Sequence, residues 1–357
     1  MTDGLSRREF LTRALAGAGA GALATSGVLP AAQASAAPQS KNGSKNGSKS
    51  KAIWGAFVAP KGAERIASVK AFEDLIGRRI DLTRHYLNFD RRLVNDVVEG
   101  SVQTGHIPLI GMVAKKTGGG WAKFKDIAAG RYDSALEEKG KSLRDLGVPV
   151  YFVFNPEPEN DHSAGNAEEF KAAFNHVRDV FTSAGASNLL WMATLMRGTY
   201  HGHNGGPKEW FPSRADIVGA DGYNRGNCSG GGWVSFRNIF TAAHEYAKGR
   251  GKPLFIEEWG SVEGTACGGK ERSHDKATWI KAAGETILEW PELLGVCYSQ
   301  TRAYYAQTGK TVDFRVQTSQ RSLEAYRRVG LALPTAGSTL CHIHPDDNGP
   351  CDPVAIH

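Results

Sequence analysis

Eight short strand-like runs recur along the chain, and most are separated by stretches with helical periodicity. That alternation restricts the fold more than any other feature. The runs cover residues 53–58, 84–89, 107–113, 149–154, 189–195, 217–223, 253–258 and 294–299. Between them, residues 134–146 place Leu136, Leu143 and Leu146 on one helical face with charges on the other. Residues 167–184, 233–248 and 275–289 read similarly. Strands alternating with helices predict a parallel sheet, and eight such units predict an α/β fold of the (β/α)8, or TIM, barrel type in a single domain. Residues 52–334 are enough for one barrel, which usually takes ~250 residues. A doubly wound open sheet is the alternative. It is weakened by the lack of a glycine-rich phosphate loop, since Gly118-Gly-Gly120 opens no convincing helix and no Lys-Ser/Thr follows it.

Two of the runs end abruptly in carboxylates. The first is Val150-Tyr-Phe-Val-Phe-Asn-Pro-Glu157-Pro-Glu159-Asn-Asp161, and the second is Pro253-Leu-Phe-Ile-Glu257-Glu258-Trp259-Gly260. A glutamate at the C-terminal end of a barrel strand sits where such barrels keep their reactive groups. Two carboxylates facing each other there are the chemistry of glycoside hydrolysis. Glu257 and Glu258 are consecutive on a strand, so their side chains are expected on opposite faces and only one on the barrel axis. The other then needs a partner in the helix layer or a place at the rim. Glu159 is read as the start of a solvated loop with Asn160 and Asp161, in preference to a substrate contact.

The first residues are an address. Ser6-Arg7-Arg8-Glu9-Phe10-Leu11 is a twin-arginine motif, an Ala/Gly-rich apolar stretch follows over 14–29, and Ala32-Gln33-Ala34 is an A-x-A cleavage site. Residues 1–34 are therefore expected to be an export signal; the stretch is short and glycine-rich for the alternative, a membrane helix. Residues 35–51 repeat Lys-Asn-Gly-Ser, hold no large apolar side chain and read as a linker. Residues 52–334 are the expected catalytic domain and 335–357 a C-terminal tail. The formal charge of +6 lies mostly outside the barrel. Arg7, Arg8 and Arg13 exceed Asp3 and Glu9 by one, and Lys41, Lys45, Lys49 and Lys51 add four, leaving +1 for residues 52–357. A near-neutral domain makes no electrostatic case for nucleic acid or an anionic membrane as partner and suits a neutral ligand such as a polysaccharide.

Five cysteines in an exported chain imply disulfides. Cys228 and Cys267 follow the sixth and seventh strands, whose loops share one face of a barrel, so a bridge between them is expected. Cys341 and Cys351 would close a loop in the tail. Cys297 lies inside a strand and reads as a small buried hydrophobe. His342, His344, Asp346 and Asp347 accompany the tail cysteines; a disulfide with solvated polar groups is the simpler reading there than a metal site.

Several motifs now occur in a consistent order. They are Asp126-Ile-Ala-Ala-Gly-Arg-Tyr-Asp133, Phe154-Asn-Pro-Glu157-Pro-Glu159, Asp221-Gly-Tyr223-Asn224 and Glu258-Trp259-Gly260. Together they resemble glycoside hydrolase family 26, the β-mannanase group of the retaining (β/α)8 clan, over about residues 54–305. The resemblance implies Glu157 as acid/base, Glu258 as nucleophile and Tyr223 as the support of the nucleophile. On charge alone, an ionised Glu258 near Glu157 would raise the pKa of Glu157, which lets two like residues take opposite roles. Tyr223 also has a plainer reading as a core aromatic with a satisfied hydroxyl.

One departure touches the site. The family pattern has a histidine immediately before the acid/base, and this chain has Pro156. Proline removes a hydrogen-bonding group and stiffens the backbone, which leaves catalysis in place but bears on mannan specificity. Lys115 and Lys116 stand where the family more often presents an aromatic; they read as exposed loop charges, the alternative being contact with an acidic or substituted sugar. The expected substrate contacts are Arg84, Tyr86, Asn155, Trp210, Asp221, Trp259 and Tyr298. Trp121, Tyr200, Trp233 and Tyr304 are further candidate stacking aromatics, and His201-Gly-His203-Asn204 reads as a substrate loop without the third ligand a metal needs. The expectation is a secreted, monomeric, retaining endo-β-glycoside hydrolase with no cofactor and no metal, acting on a polysaccharide. The resemblance points to β-1,4-mannan. The alternatives are β-glucan or β-xylan as substrate, or a carbohydrate-binding barrel without catalysis.

Overall fold

All eight expected strands form, each within three residues of its expected ends: β1 (Ile53–Val58), β2 (Leu82–Asn88), β3 (Ile107–Val113), β4 (Val150–Phe154), β5 (Leu189–Met196), β6 (Ile217–Asn224), β7 (Leu254–Ser261) and β8 (Leu293–Gln300). In this computed structural model the described residues are 52–59, 64–228, 232–269, 275–305 and 309–333. The expected signal, linker and tail, with Cys341 and Cys351, lie outside them. The strands pair in sequence order, all parallel, and β8 closes on β1. Parallel neighbours require a crossover, and helices supply it. They are α1 (Arg65–Ile76), α2 (Asp96–Gln103), α3 (Phe124–Ala128), α4 (Asp133–Asp145), α5 (Ala167–Ser183), α6 (Arg197–Tyr200), α7 (Pro207–Trp210), α8 (Phe236–Gly249), α9 (Lys276–Glu289) and α10 (Gln320–Ala332). After β8 the chain adds an antiparallel hairpin, β9 (Arg302–Tyr305) and β10 (Lys310–Asp313).

Local sequence sets these boundaries. The Asn95 side chain accepts from the amides of Val97 and Val98 and starts α2. Asn166 and Glu169 form a reciprocal capping box at the start of α5. Gly77 ends α1 in the left-handed conformation, at φ 72°. Among the described residues no helix is long and apolar enough to cross a membrane.

The pleat divides the apolar side chains into two layers. Outward residues meet the helices: Trp54 on β1 packs against Tyr326 on α10 at 4.9 Å and against Trp259 on β7 at 5.8 Å. Phe152 and Trp191 pack with Phe181 of α5 in the same layer. Inward residues fill the barrel. Tyr151 on β4 touches Phe255 on β7 at 5.4 Å, and strands that far apart in the ring meet only through the interior. Each fully buried side chain of this size contributes about 2–3 kcal/mol, and the packed floor they make supports the polar groups at the strands' C-terminal ends. Cys228 and Cys267 form the expected disulfide, with Cα atoms 5.1 Å apart, and tie the loops after β6 and β7. Cys297 is free and buried on β8.

Candidate active site

The end of β4 is a tightly held turn. Asn155 and Glu157 both adopt positive φ, 45° and 53°. Asparagine tolerates this conformation, but a glutamate there costs about 1–2 kcal/mol. Neighbouring strands hold the turn in place: the Asn155 amide donates to Met112 O at 2.8 Å and the Glu157 amide to Thr194 O at 2.9 Å. The Asn155 side chain accepts from the Ala114 amide and donates to Asp161, both at 2.8 Å. Pro156 stands over β3, its Cγ 3.7 Å from where a Cβ on Gly111 would lie. The turn delivers the Glu157 carboxylate to the barrel mouth, where Asn160 Nδ2 donates to it at 3.1 Å.

The end of β7 uses a different device. Ala220 on β6 pairs with Ile256, but the next residue, Asp221, pairs with Glu258. On the other side, Ile256 and Trp259 of β7 pair with Val296 and Tyr298 of β8, so β7 again carries one residue more. This is a β-bulge at Glu257 and Glu258, and it breaks the strict alternation. Both glutamates therefore face inward, which corrects the expectation that only one does. Arg84, from β2 across the barrel, proves it: its Nη2 meets Glu257 at 2.6 Å and its Nη1 meets Glu258. The hydroxyl of Tyr86 donates to Glu258 Oε1 and that of Tyr223 to Oε2. Tyr223 is in turn 2.7 Å from Ser299 Oγ on β8.

The resulting electrostatics are lopsided. Glu157, Asp221 and Glu258 each bring a carboxylate oxygen within 4.8 Å of the others. Arg84 is fully buried; desolvation alone would lower its pKa, but Glu257, Glu258 and Asp221 outweigh that and raise it. Burial raises the pKa of Glu157, and the charge of Glu257 adds to the rise while Arg84 and Asn160 oppose it. The sequence reading named Glu258 as the neighbour that does this; burial comes first, and the charge that adds is that of Glu257. Asp221 is raised well above the ordinary carboxylate range by burial, then by Glu257, and neither of its oxygens makes a hydrogen bond among the described residues. Glu257 is likewise raised by burial, opposed first by Arg84 and then by the neighbouring Thr194 hydroxyl. The three-carboxylate cluster is a conceivable cation site, yet a guanidinium and two phenol hydroxyls already occupy Glu258.

The structure brings together Glu157, Glu258, Tyr223, Tyr86, Arg84 and Asp221. It does not do so for four other expected substrate contacts. Asn155 is fully buried and spends its side chain on the turn. Trp259 falls beyond the bulge and therefore points outward, into a cluster with Trp54, Phe236, Trp279 and Tyr298. Tyr298 is buried in the same layer and donates to Phe314 O at 2.5 Å. Trp210 packs against Phe170 and donates to Asn204 O at 2.9 Å. Arg84 is in the site, but it grips carboxylates and has no exposed surface. Glu159, read as a solvated loop residue, is buried; it accepts from the Met196 amide at 2.6 Å and Thr199 Oγ1 at 2.7 Å, and burial pushes its pKa up to about 7. Thr194 and Ser299 went unnoticed, and Asn160 was read only as a solvated loop residue. The first two interrupt apolar strands with a hydroxyl, and that interruption was the available signal.

Fold and site together are a (β/α)8 barrel with carboxylates at the ends of β4 and β7 and a β6 tyrosine on the second. The comparisons run the same way. No family model matches the chain. It is 26% identical over 308 residues to Endoglucanase H of Acetivibrio thermocellus, covering 79% of this chain and 31% of that protein. It is 24% identical over 141 residues to Beta-1,3-xylanase TXYA of a Vibrio species, covering 38% of this chain and 28% of that protein. The matched region thus spans less than a third of either relative. The catalytic domain of the GH26 endo-β-1,4-mannanase of Bacillus sp. JAMB-750 shares the fold, with TM-score 0.56, 15% identity and coverage of 82% of this chain and 89% of that one. So does a β-mannanase from a symbiotic protist of the termite Reticulitermes speratus, with TM-score 0.53, 16% identity and coverage of 81% and 90%. The (β/α)8 barrel that the resemblance to glycoside hydrolase family 26 implied is borne out.

Proposed function

We propose that the chain is a retaining endo-β-glycoside hydrolase in which Glu258 is the nucleophile and Glu157 the acid/base. One observation carries the reading. Two glutamates from non-adjacent strands bring oxygens within 4.8 Å, one raised in pKa by burial and the other held by Arg84, Tyr86 and Tyr223. That approach supports the retaining arrangement, with carboxyl groups ~5–5.5 Å apart, over the inverting one at ~6.5–9.5 Å. In the first step the Glu258 carboxylate attacks the anomeric carbon while Glu157 gives its proton to the departing glycosidic oxygen. In the second, the Glu157 carboxylate takes a proton from water, which displaces Glu258 and leaves the anomeric configuration unchanged. Tyr223, braced by Ser299, keeps Glu258 Oε2 aimed.

The motif resemblance carries β-1,4-mannan as the backbone. Pro156, in place of the family's histidine, and the two sequence relatives, named as a glucanase and a xylanase, favour β-glucan or β-xylan as the second reading. The N-terminal twin-arginine motif supports export to the outside of the cell, as a monomer acting on polysaccharide without a cofactor. The test is product release from mannan, mixed-linkage β-glucan, β-1,4-xylan and β-1,3-xylan, with the anomer of the first product followed by NMR. Release from one backbone with retention supports the reading. Inversion rejects the mechanism, and release from none rejects the function.

A further inference from the structure

A second cavity opens beside the site. It has a volume of about 400 Å³ and lies between the start of α1 and the β2–α2 loop, lined by Arg65, Tyr86, Arg91, Arg92, Asn95 and Val97 among others. Tyr86 belongs to both places: its hydroxyl donates to Glu258 and its ring forms part of this wall. A chain seated over Glu258 therefore passes the cavity within a neighbouring sugar.

Three arginines line this space, and none of its described lining residues is acidic. Arg65 is buried, stacks on Phe57 at 4.5 Å and donates to Arg84 O at 2.5 Å, which makes it a fixed floor. Arg91 and Arg92 are exposed on a loop pinned from two sides. Lys139 Nζ donates to Arg91 O at 2.8 Å, and Asp90, the acid of that loop, accepts from the amide and hydroxyl of Thr117 at 2.9 Å. Among the described residues neither Arg91 nor Arg92 forms an ion pair. Several surface arginines elsewhere do so, Arg131 with Asp126, Arg144 with Asp145, Arg214 with Asp179 and Arg237 with Glu289, while Arg79 donates to Thr104 O and Arg250 lies over Tyr246 instead. A solvated arginine on a convex surface would need no explanation. Two of them on a braced loop, lining with a third a concave wall next to the carboxylate cluster, form a set suited to a carboxylate or sulfate.

We propose that this cavity is a subsite for an anionic group on the substrate, a uronic-acid carboxylate or an ester sulfate carried by a sugar next to the one that is cleaved. It rests on the glycoside hydrolase reading and narrows it, because the preferred glycan is then acidic or acid-substituted, whatever its neutral backbone. The charge balance of the domain as a whole, near zero, does not reveal the three arginines at this wall.

The test uses three probes on one backbone: an oligosaccharide bearing a glucuronic acid branch, its carboxyl-reduced neutral form, and a sulfated form. KM and kcat are measured for the protein and for Arg91→Ala/Arg92→Ala, both exposed positions outside the catalytic groups. The expected result is a KM at least tenfold lower for one of the anionic probes than for the neutral one. In the double variant that preference disappears with kcat and the neutral-probe KM unchanged, and which anion wins assigns carboxylate or sulfate. Equal KM values for all three probes, or a variant that loses neutral and anionic substrates alike, overturn the subsite. If none is hydrolysed, calorimetric binding of the same probes decides separately. Anion-selective binding lost in the variant keeps the subsite while the hydrolase reading fails, and unselective or absent binding removes the subsite as well.

Discussion

The ends of β4 and β7 present the same residue type to the same cavity by opposite means. At β4 a glutamate is forced into a left-handed conformation and held by backbone bonds to β3 and β5, so its position is fixed by the main chain. Its carboxylate receives one weak side-chain donor, from Asn160. At β7 the backbone is a regular strand apart from one inserted residue, and position is fixed through the side chain, by a guanidinium and two phenols. On the proposed roles, the group that gains and loses a proton is left with few fixed donors, and the group that attacks in one direction is clamped. The difference teaches how a barrel separates two chemically identical carboxylates that lie almost in contact.

The largest effects should follow from erasing either end. Glu258→Ala should lower turnover on every glycoside by roughly 10⁴-fold or more, because no glycosyl-enzyme forms. Azide should restore part of the rate and give a product of the opposite anomeric configuration. Glu157→Ala should lose roughly 10²–10⁴-fold on natural glycan, yet keep the first step on an activated aryl glycoside, whose leaving group needs little protonation. The intermediate then accumulates, and azide should release it with the original configuration. If the two variants respond alike to leaving group and azide, the contrast between the two ends has no chemical meaning.

A smaller effect, on stability, should come from the residue that joins the β7 carboxylates. Arg84→Ala leaves Glu257 buried without its ion-pair partner and should cost about 3–5 kcal/mol, read from the urea midpoint at unchanged slope. The sign with pH follows. Without Arg84, the folded-state pKa of Glu257 rises further above its unfolded value, so the variant gains stability as pH falls and loses it as pH rises. A penalty that stays flat across the acid range would mean that Arg84 acts by packing alone.

The barrel was legible because most strands are apolar runs bounded by a change of period, and the two carboxylate ends were legible because charge interrupts those runs. What stayed hidden depends on register. Alternation placed Glu257 and Glu258 on opposite faces and Trp259 next to a ligand; one extra residue in β7 reverses both, and no residue type in Ile256-Glu-Glu-Trp259 marks the bulge. Glu159 was misread for a related reason. Its neighbours Asn160 and Asp161 look like a surface loop, whereas the turn at Glu157 tucks the next carboxylate under the β5 end, where the Met196 amide and Thr199 receive it. Arg84 read as a sugar ligand because a polar group at a strand end ordinarily faces the pocket; nothing local says that two acids from β7 will claim it.

The smallest expected effect is also the sharpest probe of the comparison, because it crosses from one end to the other. Glu257 touches neither the turn at Glu157 nor the clamp's hydroxyls, but its negative charge is one of the causes that raise the Glu157 pKa. Glu257→Gln keeps the shape and an acceptor for Arg84 while removing that charge, and it leaves Arg84 less neutralised, which acts on Glu157 in the same direction. Both changes lower the Glu157 pKa. The acid form needed for the first step is then lost at lower pH, so the basic limb of the kcat/KM profile should move toward acid, with kcat at the new optimum little changed. Glu258→Gln cannot serve as the control, since it removes the proposed nucleophile; Thr194→Val can, because Thr194 neighbours Glu257 and carries no charge. A basic limb that moves in Thr194→Val as far as in Glu257→Gln would show that the limb reports packing at β5. A limb that moves only in Glu257→Gln ties the two strand ends together through charge.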